Sequence, residues 1–388
     1  MYKKKKDHSF LKKTLSLLLC CVLFTSLPAI PVSSIDTAYL PQDISAHSAI
    51  LIDSEGAVLT EKNSRERMGE ASTTKIMTAL VIAETMPPDK LITVPSEAVG
   101  VEGSSVYLCE GERLSVRELL YALLLESAND AAVALAIASS GSIEAFAEKM
   151  NARARALGLC DTNFKNPHGL FDAEHYTTAY DLAMISAEAL KIPALREIFA
   201  TKKTQISLGV TDATPDGDGK RYLHNHNKML SRYEGAIGVK TGFTKRTGRC
   251  LVSAAERNGM TLIAVTLNAP DDWRDHTLLL DYGFDNYERV TLFDVGEFSY
   301  QYAVSGGCEQ FVRATNSVPL SLTLPKNICE YSHSIEFEQR FEIAPLKAGT
   351  ILGTLTIQGS FGEATSPLVA AYSVDAPQKK NKFFNFFS

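Results

Sequence analysis

Cysteine is scarce in this 388-residue chain, and the few cysteines stand far apart. Two of them fall within the first 30 residues, and the others are Cys109, Cys160, Cys250, Cys308 and Cys329. An odd number at wide spacing argues against a disulfide framework, and no cysteine has the spacing of a metal ligand. Cys308 and Cys329 either form a single bridge or remain two buried thiols. We therefore expect no metal and no cofactor.

Long apolar runs are missing from most of the chain, and the one near the N-terminus is short. Six lysines between Lys3 and Lys13 precede the apolar run Leu15–Phe24, and small or turn residues follow it up to Ala29. This order is typical of an export signal, and the run is too short to span a bilayer comfortably. No small residue precedes Cys20 or Cys21, which argues against lipid attachment. We predict a signal peptide over residues 1–29, with cleavage near Ala29, and an exported protein.

A basic surplus is also missing. Removing residues 1–29 takes away six lysines and Asp7, which lowers the formal net charge from -6 to -11. Such an acidic chain argues against nucleic acid as a partner and restricts anion binding to local basic clusters. Lys245, Arg246 and Arg249 form one such cluster, and either they guide an anionic substrate or they form a solvated turn.

The apolar pattern predicts an α+β fold. Strands are expected at Ser48–Asp53, Ala57–Thr60, Ala236–Thr241, Arg249–Ala255 and Met260–Asn268, with hairpin turns at Ser54-Glu55-Gly56 and Asn258-Gly259. Helices are expected over Ser72–Met86, from the capping box at Ser115 to Leu125, from Asn129 to about Ser140, and over His276–Tyr287. These elements predict one antiparallel sheet with helices on its faces over residues 40–287.

The chain from residue 289 onward has a different sequence pattern. Short strands with glycine and proline turns are expected at Ser334–Ile343, Thr350–Ile357 and Leu368–Val374. They predict a small β-sandwich-like domain over residues 289–375, followed by a basic and aromatic tail over residues 376–388. The phenylalanines and lysines of that tail fit either a peripheral membrane contact or a disordered end.

A serine and a lysine stand three residues apart at the start of the first predicted helix, in Ser72-Thr73-Thr74-Lys75. Side chains at this spacing share a helix face, so the Lys75 amine is able to reach the Ser72 hydroxyl. Desolvation in an apolar helix favours the neutral amine, which acts as a base toward the hydroxyl. The pattern alone arises by chance, and a helix cap beside a surface lysine also fits it.

Two further motifs lie where distant segments meet in one cleft. Ser127-Ala128-Asn129 occupies a break between two predicted helices, and Lys240-Thr241-Gly242 ends a predicted strand. Each motif is common by itself. In the order Ser-x-x-Lys, Ser-x-Asn and Lys-Thr-Gly, on helix, loop and strand, they form the active-site set of penicillin-binding proteins and serine β-lactamases.

Beyond the motifs, the chain resembles the type-five, low-molecular-mass penicillin-binding proteins, the serine D-alanyl-D-alanine carboxypeptidases. The similar stretches are Ala71–Leu80, Gly103–Leu108, Glu126–Ala134, Asn166–Leu170 with Tyr176–Ala183, and Gly238–Glu256. The resemblance implies a β-lactamase/transpeptidase-like catalytic domain and a smaller β-rich domain. It also implies an enzyme at the outer face of the cytoplasmic membrane or in the cell wall, which trims the terminal D-alanine from peptidoglycan stem pentapeptides and is inhibited by β-lactam antibiotics.

The resemblance assigns catalytic roles to three residues and a binding role to a fourth. It implies Ser72 as the nucleophile, Lys75 as its base, and Ser127 as the residue that passes the proton to the leaving D-alanine. Asn129 is implied to hold a substrate amide.

The third motif and its neighbour are implied to bind the end of the substrate. Lys240 and Thr241 would hold the terminal carboxylate. The oxyanion would lie between the backbone N–H groups of Ser72 and Phe243, next to Gly242, where fixed dipoles stabilise charge that develops in the transition state.

Five other residues fit weaker patterns. His168 and Asp172 lie in a loop that is similar to one bordering the family's cleft, and either catalysis or loop contacts fit them. His224 and His226 lack a third ligand, so we expect strand or loop contacts and not a metal site. Trp273 is expected in the core.

Three rival activities fit part of the pattern. A class A β-lactamase needs a Glu-x-x-Leu-Asn segment, which does not occur between Ser127 and Lys240, and Ser-Asp-Asn where this chain has Ser-Ala-Asn. A penicillin-sensing receptor needs transmembrane helices and a cytoplasmic output module. A D,D-endopeptidase of peptidoglycan crosslinks uses the same acylation and stays open.

Overall fold

The computed structural model describes residues 43–209, 219–327 and 330–377. The predicted signal peptide, Cys329 and the tail from residue 378 onward lie outside the described residues. Cys308 is exposed and is not the buried thiol that one alternative required.

The described chain begins with a hairpin and continues into a mainly helical block. The strands of this part are β1 (Ser48–Asp53), β2 (Val58–Lys62), β3 (Leu91–Thr93) and β4 (Arg113–Ser115). The helices are α1 (Lys75–Thr85), α2 (Val116–Leu125), α3 (Asn129–Ser140), α4 (Ile143–Ala156), α5 (Ala179–Lys191) and α6 (Pro193–Ala200). The first predicted helix starts later than expected because residues Ala71–Thr74 form a 3-10 turn.

Local sequence signals set several of these helix ends. Ser115 and Glu118 form the predicted capping box at the start of α2. Gly141 has φ 84° and closes α3 in the left-handed conformation that glycine tolerates. Pro193 occupies the first turn of α6, where its missing N–H costs no helical hydrogen bond.

The next elements complete the main sheet. They are β5 (Lys203–Ser207), β6 (Lys220–His224), α7 (Met229–Arg232), β7 (Ala236–Thr244), β8 (Gly248–Arg257), β9 (Met260–Leu267) and α8 (Asp272–Asn286). Strands β7 to β9 join β1 and β2 in one antiparallel sheet of order β2-β1-β9-β8-β7, as predicted, with β7 at an edge. Asn258 and Gly259, at φ 50° and 76°, form the predicted two-residue turn between β8 and β9. The closing helix begins earlier than predicted, at Asp272.

This sheet has a hydrophobic core on each face. Along β1 the side chains alternate, so Ile50 enters the core formed with α1 to α6 and Leu51 enters the core formed with α8. Helix α1 is buried from Lys75 to Ile82, which confirms the prediction of a buried central helix. The first turn of α1 therefore lies inside the protein, and the turn that carries Ser72 lies beside β7.

The C-terminal part consists of short strands, as predicted. They are β10 (Tyr287–Phe293), β11 (Ser299–Ser305), β12 (Phe311–Asn316), β13 (Leu320–Pro325), β14 (Tyr331–Phe337), β15 (Glu342–Ile343), β16 (Ile351–Gly359) and β17 (Glu363–Ala370). Six of them form a sheet of order β14-β16-β17-β12-β11-β15, and β10 pairs with β13. The last strand begins at Glu363 and not at Leu368, because its polar first half pairs with β16. The domain boundaries stay a prediction.

Across the described ranges, no single helix is long and apolar enough to cross a membrane. Helices α3 and α4 pass that test only as a pair bent by 83° at their junction, and α3 is mostly buried inside the protein.

Candidate active site

Ser72 and Lys75 meet at the junction between the 3-10 turn and α1. Ala71 enters the turn at φ 50°, an unusual conformation for a residue with a Cβ. The turn brings the Lys75 Nζ to 3.1 Å from the Ser72 Oγ. The structure thus places the predicted hydroxyl and amine within hydrogen-bonding distance.

The Lys75 amine is fully buried, and oxygen atoms of three residues surround it. Its Nζ lies 2.7 Å from the Asn129 Oδ1 and 2.8 Å from the His168 carbonyl oxygen, and the residue is 0% exposed. Burial, and secondly the charge of Lys240, lower the pKa of Lys75 well below its ordinary value. A neutral amine has two N–H donors and one lone pair, which match these two oxygens and the Ser72 hydroxyl. The site is therefore suited to receive the hydroxyl proton.

The second motif, Ser127-Ala128-Asn129, is held in place by the loop from residue 102 to 108. Ser127 has φ 61°, a conformation that costs a non-glycine residue about 1 to 3 kcal/mol and is often found at functional sites. Asn129 donates its backbone N–H to the Ser104 carbonyl oxygen at 2.7 Å and its side-chain amide to the Glu102 carbonyl oxygen at 2.5 Å. The hydrogen bond from the side-chain N–H₂ to Glu102 orients the Asn129 Oδ1 toward Lys75.

Asp130 stabilises the same loop through hydrogen bonds to its side-chain carboxylate. Its carboxylate accepts hydrogen bonds from the Ser105 hydroxyl at 2.6 Å and from the backbone N–H of Leu108 at 3.0 Å. Gly103, at φ 95°, leaves room for the Asn129 amide, because a Cβ there would lie 2.7 Å from the Asn129 Nδ2. The loop from residue 102 to 108 is thus tied to the start of α3.

Lys240 is buried and not displayed in the cleft. It is 1% exposed, and its Nζ donates to the Thr241 carbonyl oxygen at 2.9 Å. Burial lowers the pKa of Lys240 to about 7. Strand alternation turns Lys240 and Gly242 toward α1, and Thr241 and Phe243 toward the opposite face.

Gly242 permits the close approach of β7 to the serine turn. A Cβ at this position would lie 2.9 Å from the Glu70 carbonyl oxygen and 3.1 Å from the Ser72 backbone nitrogen. Only glycine fits such a distance without a shift of the backbone. The approach places β7 from Thr241 to Phe243 directly against the nucleophile.

An open cleft of about 410 Å³ contains most of the predicted residues. Its lining residues are Ser72, Ser104, Ser127, His226, Thr241, Gly242, Phe243, Arg249, Asp272 and Trp273. Lys75, Asn129 and Lys240 lie buried behind this surface. The structure therefore brings all eight predicted site residues to one place, five at the surface of the cleft and three beneath it.

The residues that fitted only weaker sequence patterns lie in different surroundings in the structure. His168 contributes its backbone oxygen to Lys75, while burial lowers the pKa of its ring to about 3. Asp172 lines a neighbouring cavity. His226 and His224 lie 3.2 Å and 3.9 Å from the Glu126 carboxylate, and the described residues contain no group of metal ligands.

Trp273 corrects one expectation, and the position of Arg249 bears on two alternatives that the sequence left open. Trp273 is only half-buried and lines the cleft, so the prediction that it belongs to the core is wrong in part. Arg249 also lines the cleft, whereas Lys245 is absent from its lining.

A buried polar network below the nucleophile was not found from the sequence. The Glu70 Oε1 accepts from the Thr74 hydroxyl at 2.9 Å and from the His175 Nε2 at 3.1 Å. The His175 Nδ1 accepts the Lys165 backbone N–H, so the Nε2 carries the proton. Glu70 and His175 are 105 residues apart in sequence, and no local pattern links them.

Comparison with known proteins identifies the family. The family model for D-alanyl-D-alanine carboxypeptidase, Peptidase S11, matches residues 35–271. The D-alanyl-D-alanine carboxypeptidase DacF of Bacillus subtilis is 35% identical over 353 residues, covering 88% of each chain. The D-alanyl-D-alanine carboxypeptidase DacC of Escherichia coli is 32% identical over 81% of this chain and 80% of its own.

Solved structures agree with the sequence relatives. Penicillin binding protein 5 from Haemophilus influenzae superposes with a TM-score of 0.70 at 28% identity, over 87% of this chain and 99% of that chain. The Streptomyces K15 DD-transpeptidase superposes with a TM-score of 0.59 at 33% identity, over 63% of this chain and 98% of that chain. The predicted fold, a transpeptidase-like sheet flanked by helices with a β-rich C-terminal part, is confirmed. The chain belongs to the Peptidase S11 family, the serine-type D-alanyl-D-alanine carboxypeptidases.

Proposed function

We propose that this protein removes the terminal D-alanine from peptidoglycan stem pentapeptides through an acyl-enzyme on Ser72. The observation that carries the proposal is the buried Lys75 amine, 3.1 Å from the Ser72 hydroxyl, with a strongly lowered pKa. Because the lowered pKa favours the neutral amine, Lys75 is suited to act as the base toward the Ser72 hydroxyl.

In the first half of the reaction, the Ser72 oxygen attacks the carbonyl carbon of the penultimate D-alanine as Lys75 takes the hydroxyl proton. The oxyanion lies between the backbone N–H groups of Ser72 and Phe243, which Gly242 brings together. The peptide C–N bond then breaks as Ser127 gives its proton to the amine of the leaving D-alanine and takes up the proton that Lys75 received from Ser72, so that Lys75 is neutral again. An ester of Ser72 with the shortened stem peptide remains.

In the second half, water attacks this ester, and Lys75 accepts the water proton. The Ser72 oxygen regains its hydrogen, and the shortened stem peptide leaves as a carboxylic acid. In the first half, before the C–N bond breaks, Asn129 holds a substrate amide and Thr241 binds the terminal carboxylate, while Lys240, buried beneath the cleft surface, adds positive charge close to that carboxylate. β-Lactam antibiotics acylate Ser72 by the same first step and act as covalent inhibitors.

The Ser72→Ala variant tests the nucleophile. We expect it to lose both pentapeptide cleavage and covalent labelling by a fluorescent penicillin, since among the described residues Ser72 carries the hydroxyl that lies within hydrogen-bonding distance of the Lys75 amine. Ser334→Ala, at an exposed position of β14, is the matched control and should label like the wild type. Labelling of Ser72→Ala at another residue would contradict the assignment.

The product pattern separates the carboxypeptidase from the endopeptidase. Purified protein is incubated with a stem pentapeptide and with a crosslinked dimer, and the products are identified by mass. Release of D-alanine from the pentapeptide alone supports the proposal. Faster cleavage of the dimer would place the endopeptidase activity first.

We also propose that the enzyme acts outside the cytoplasm, at the membrane or cell wall, where peptidoglycan is found. The export signal predicted over residues 1–29 and the basic and aromatic sequence from Lys379 to Ser388 support this placement. Co-sedimentation with anionic liposomes, with and without residues 379–388, measures the contribution of the tail. Equal partitioning of the two proteins would rule out membrane contact by the tail.

A further inference from the structure

Thr74 occupies one of the two variable positions of Ser-x-x-Lys, has no role in the motif, and is fully buried. Its hydroxyl lies 2.8 Å from the Ala71 carbonyl oxygen, 2.9 Å from the Glu70 Oε1 and 2.9 Å from the His175 Nε2. Ser72 belongs to the same turn but lines the cleft. One hydroxyl therefore joins the backbone just before the nucleophile to two buried ionisable side chains.

The turn that carries Ser72 needs this support because its backbone is strained. Ala71 has φ 50°, a conformation that a residue with a Cβ keeps only when its surroundings enforce it. The peptide between Ala71 and Ser72 connects the strained residue to the nucleophile, so a rotation of this peptide would also move Ser72. The Thr74 hydroxyl holds the carbonyl oxygen of this peptide in place.

This peptide also links the buried network to the oxyanion site. The Ala71 carbonyl and the Ser72 N–H belong to one planar trans unit, in which the C=O and the N–H point in opposite directions. A hydrogen bond to the Ala71 oxygen therefore aims the Ser72 N–H the other way, toward the position proposed for the oxyanion. A donor that is aimed before the reaction stabilises the charge that develops in the transition state.

Glu70 and His175 in turn hold the Thr74 hydroxyl. The His175 Nδ1 accepts the Lys165 backbone N–H at 3.1 Å, which leaves the Nε2 proton for the Glu70 Oε1 and the Thr74 oxygen. Glu70 is 0% exposed, and among the described residues its other oxygen, Oε2, has no hydrogen-bond donor. The carboxylate is thus bound through Oε1, the atom that faces both partners. The Thr74 proton is shared between this atom and the Ala71 carbonyl oxygen.

We propose that Glu70 and His175 are positioning residues for the reaction, which act through the Thr74 hydroxyl to aim the Ser72 backbone N–H at the oxyanion. The inference rests on the proposed function, because it takes Ser72 as the acylated residue. Glu70, Thr74 and His175 do not belong to the lining of the cleft. Their loss is therefore expected to slow acylation without weakening the binding that precedes it.

Two other roles of the network predict different results. A network that only stabilises the fold would lower the free energy of unfolding and leave the acylation rate of the folded protein unchanged. A role for the Glu70 charge would depend on the charge and not on the Thr74 hydroxyl. The limiting rate of acylation, measured separately from the penicillin concentration at half-saturation, distinguishes these roles.

The experiment measures acylation of the whole protein by a fluorescent penicillin, whose carbonyl oxygen enters the same oxyanion site, in wild type, T74V, T74S and T266V. T74V keeps the shape of the side chain and removes the hydroxyl. We expect its limiting rate to fall about tenfold or more at an unchanged half-saturation concentration, since a misplacement of about 1 Å costs on the order of a hundredfold. T74S returns the hydroxyl and should recover most of the rate.

T266V is the matched control. Thr266 and His276 are both fully buried, and the Thr266 hydroxyl lies 2.9 Å from the His276 Nε2, in a contact between β9 and α8. T266V therefore removes the hydroxyl of a second buried threonine–histidine contact, and it should be acylated at the wild-type rate. Urea denaturation of T74V and T266V shows how much stability each variant loses.

Glu70 offers a second pair of variants. E70Q keeps an oxygen for Thr74 and His175 but removes the charge, whereas E70A removes both. Positioning predicts that E70A is slowed like T74V and that E70Q stays closer to wild type. In E70A/T74V the two losses should not add, because both variants break one chain of contacts. Equal slowing of E70Q and E70A would assign the effect to the charge and contradict the inference.

A T74V variant with the wild-type limiting rate would overturn the inference, as would equal slowing of T74V and T266V. If T74V does not fold, H175Q and H175L are compared, because only H175Q keeps an N–H donor near the Nε2 position. A slower H175L then supports the inference, and equal rates overturn it. A wild type that is acylated by penicillin but does not cleave a stem pentapeptide would contradict the proposed function alone, and the T74V rate would still decide on the network.

Discussion

Replacement of Lys240 by methionine is expected to stabilise the folded protein while impairing catalysis. Lys240 is 1% exposed, and burial lowers its pKa from 10.5 to about 7. Since one pKa unit corresponds to about 1.4 kcal/mol, the buried ammonium costs the folded state on the order of 5 kcal/mol at pH 7 and below. Methionine has a similar shape but loses the hydrogen bond to the Thr241 carbonyl oxygen, worth about 1 kcal/mol. We therefore expect a net gain of about 2 to 4 kcal/mol at pH 6.

The gain has a definite pH dependence. The unfolded chain keeps the Lys240 proton up to pH 10.5, whereas the folded chain releases it near a pKa of about 7. Between these values the unfolded state binds more protons, so the free energy of unfolding of the wild type rises with pH. The advantage of Lys240→Met is therefore largest at pH 7 and below, and it shrinks by about 1.4 kcal/mol for each pH unit above 7.

Urea denaturation of wild type and Lys240→Met at pH 6, 7.5 and 9 measures this difference. Lys245→Met, at an exposed position of the turn after β7, is the matched control and should show no such trend. Two results would refute the reasoning: a Lys240→Met variant less stable than wild type at pH 6, or a difference that is the same at pH 6 and pH 9.

Three further predictions concern the surroundings of Ser72. Lys75→Ala should lower the rate of penicillin acylation at least a hundredfold, because the hydroxyl keeps its proton, while far-UV circular dichroism stays unchanged; an active variant would move the base role elsewhere. Gly169→Ala should destabilise the fold by about 3 kcal/mol or more in urea denaturation, since φ is 85° and the Cβ would lie 1.9 Å from the Ala71 carbonyl oxygen. Asp130→Asn should lower the free energy of unfolding by about 1 to 3 kcal/mol, because an amide N–H₂ then faces donors of the loop from residue 102 to 108; an unchanged urea midpoint would contradict this.

The sequence was informative wherever the signal is local. The capping box at Ser115, the turn at Asn258-Gly259 and the serine and lysine three residues apart each depend on neighbours in the chain, and each prediction is confirmed by the structure. The order of the three motifs also predicted that they meet, because their chemistry is meaningful only in one cleft.

What the sequence did not predict depends on distant segments. The ribbon of β5 and β6 consists mainly of polar residues such as Lys203 and Lys220, and pairing between the two segments makes them strands. The contact between Glu70 and His175 joins positions that share no motif. Arg249 was predicted at the start of a strand, and the sequence left open whether it guides a substrate or belongs to a solvated turn; its position in the cleft follows only from the register of β8 against β7 and from the ion pair with Asp272.

Strand β7 shows why Lys-Thr-Gly is needed as three consecutive residues. Alternation turns Lys240 toward Lys75, Thr241 toward the open cleft, and Gly242 back toward the Ser72 turn, where a Cβ would come too close to the backbone. The positive charge of Lys240 is the second cause of the lowered pKa of Lys75. The burial that makes Lys240 costly for stability therefore also favours the neutral base beside Ser72. The Lys240→Met variant is therefore expected to be more stable and also to have a weaker tendency toward a neutral Lys75, because both effects arise from the one buried ammonium of Lys240.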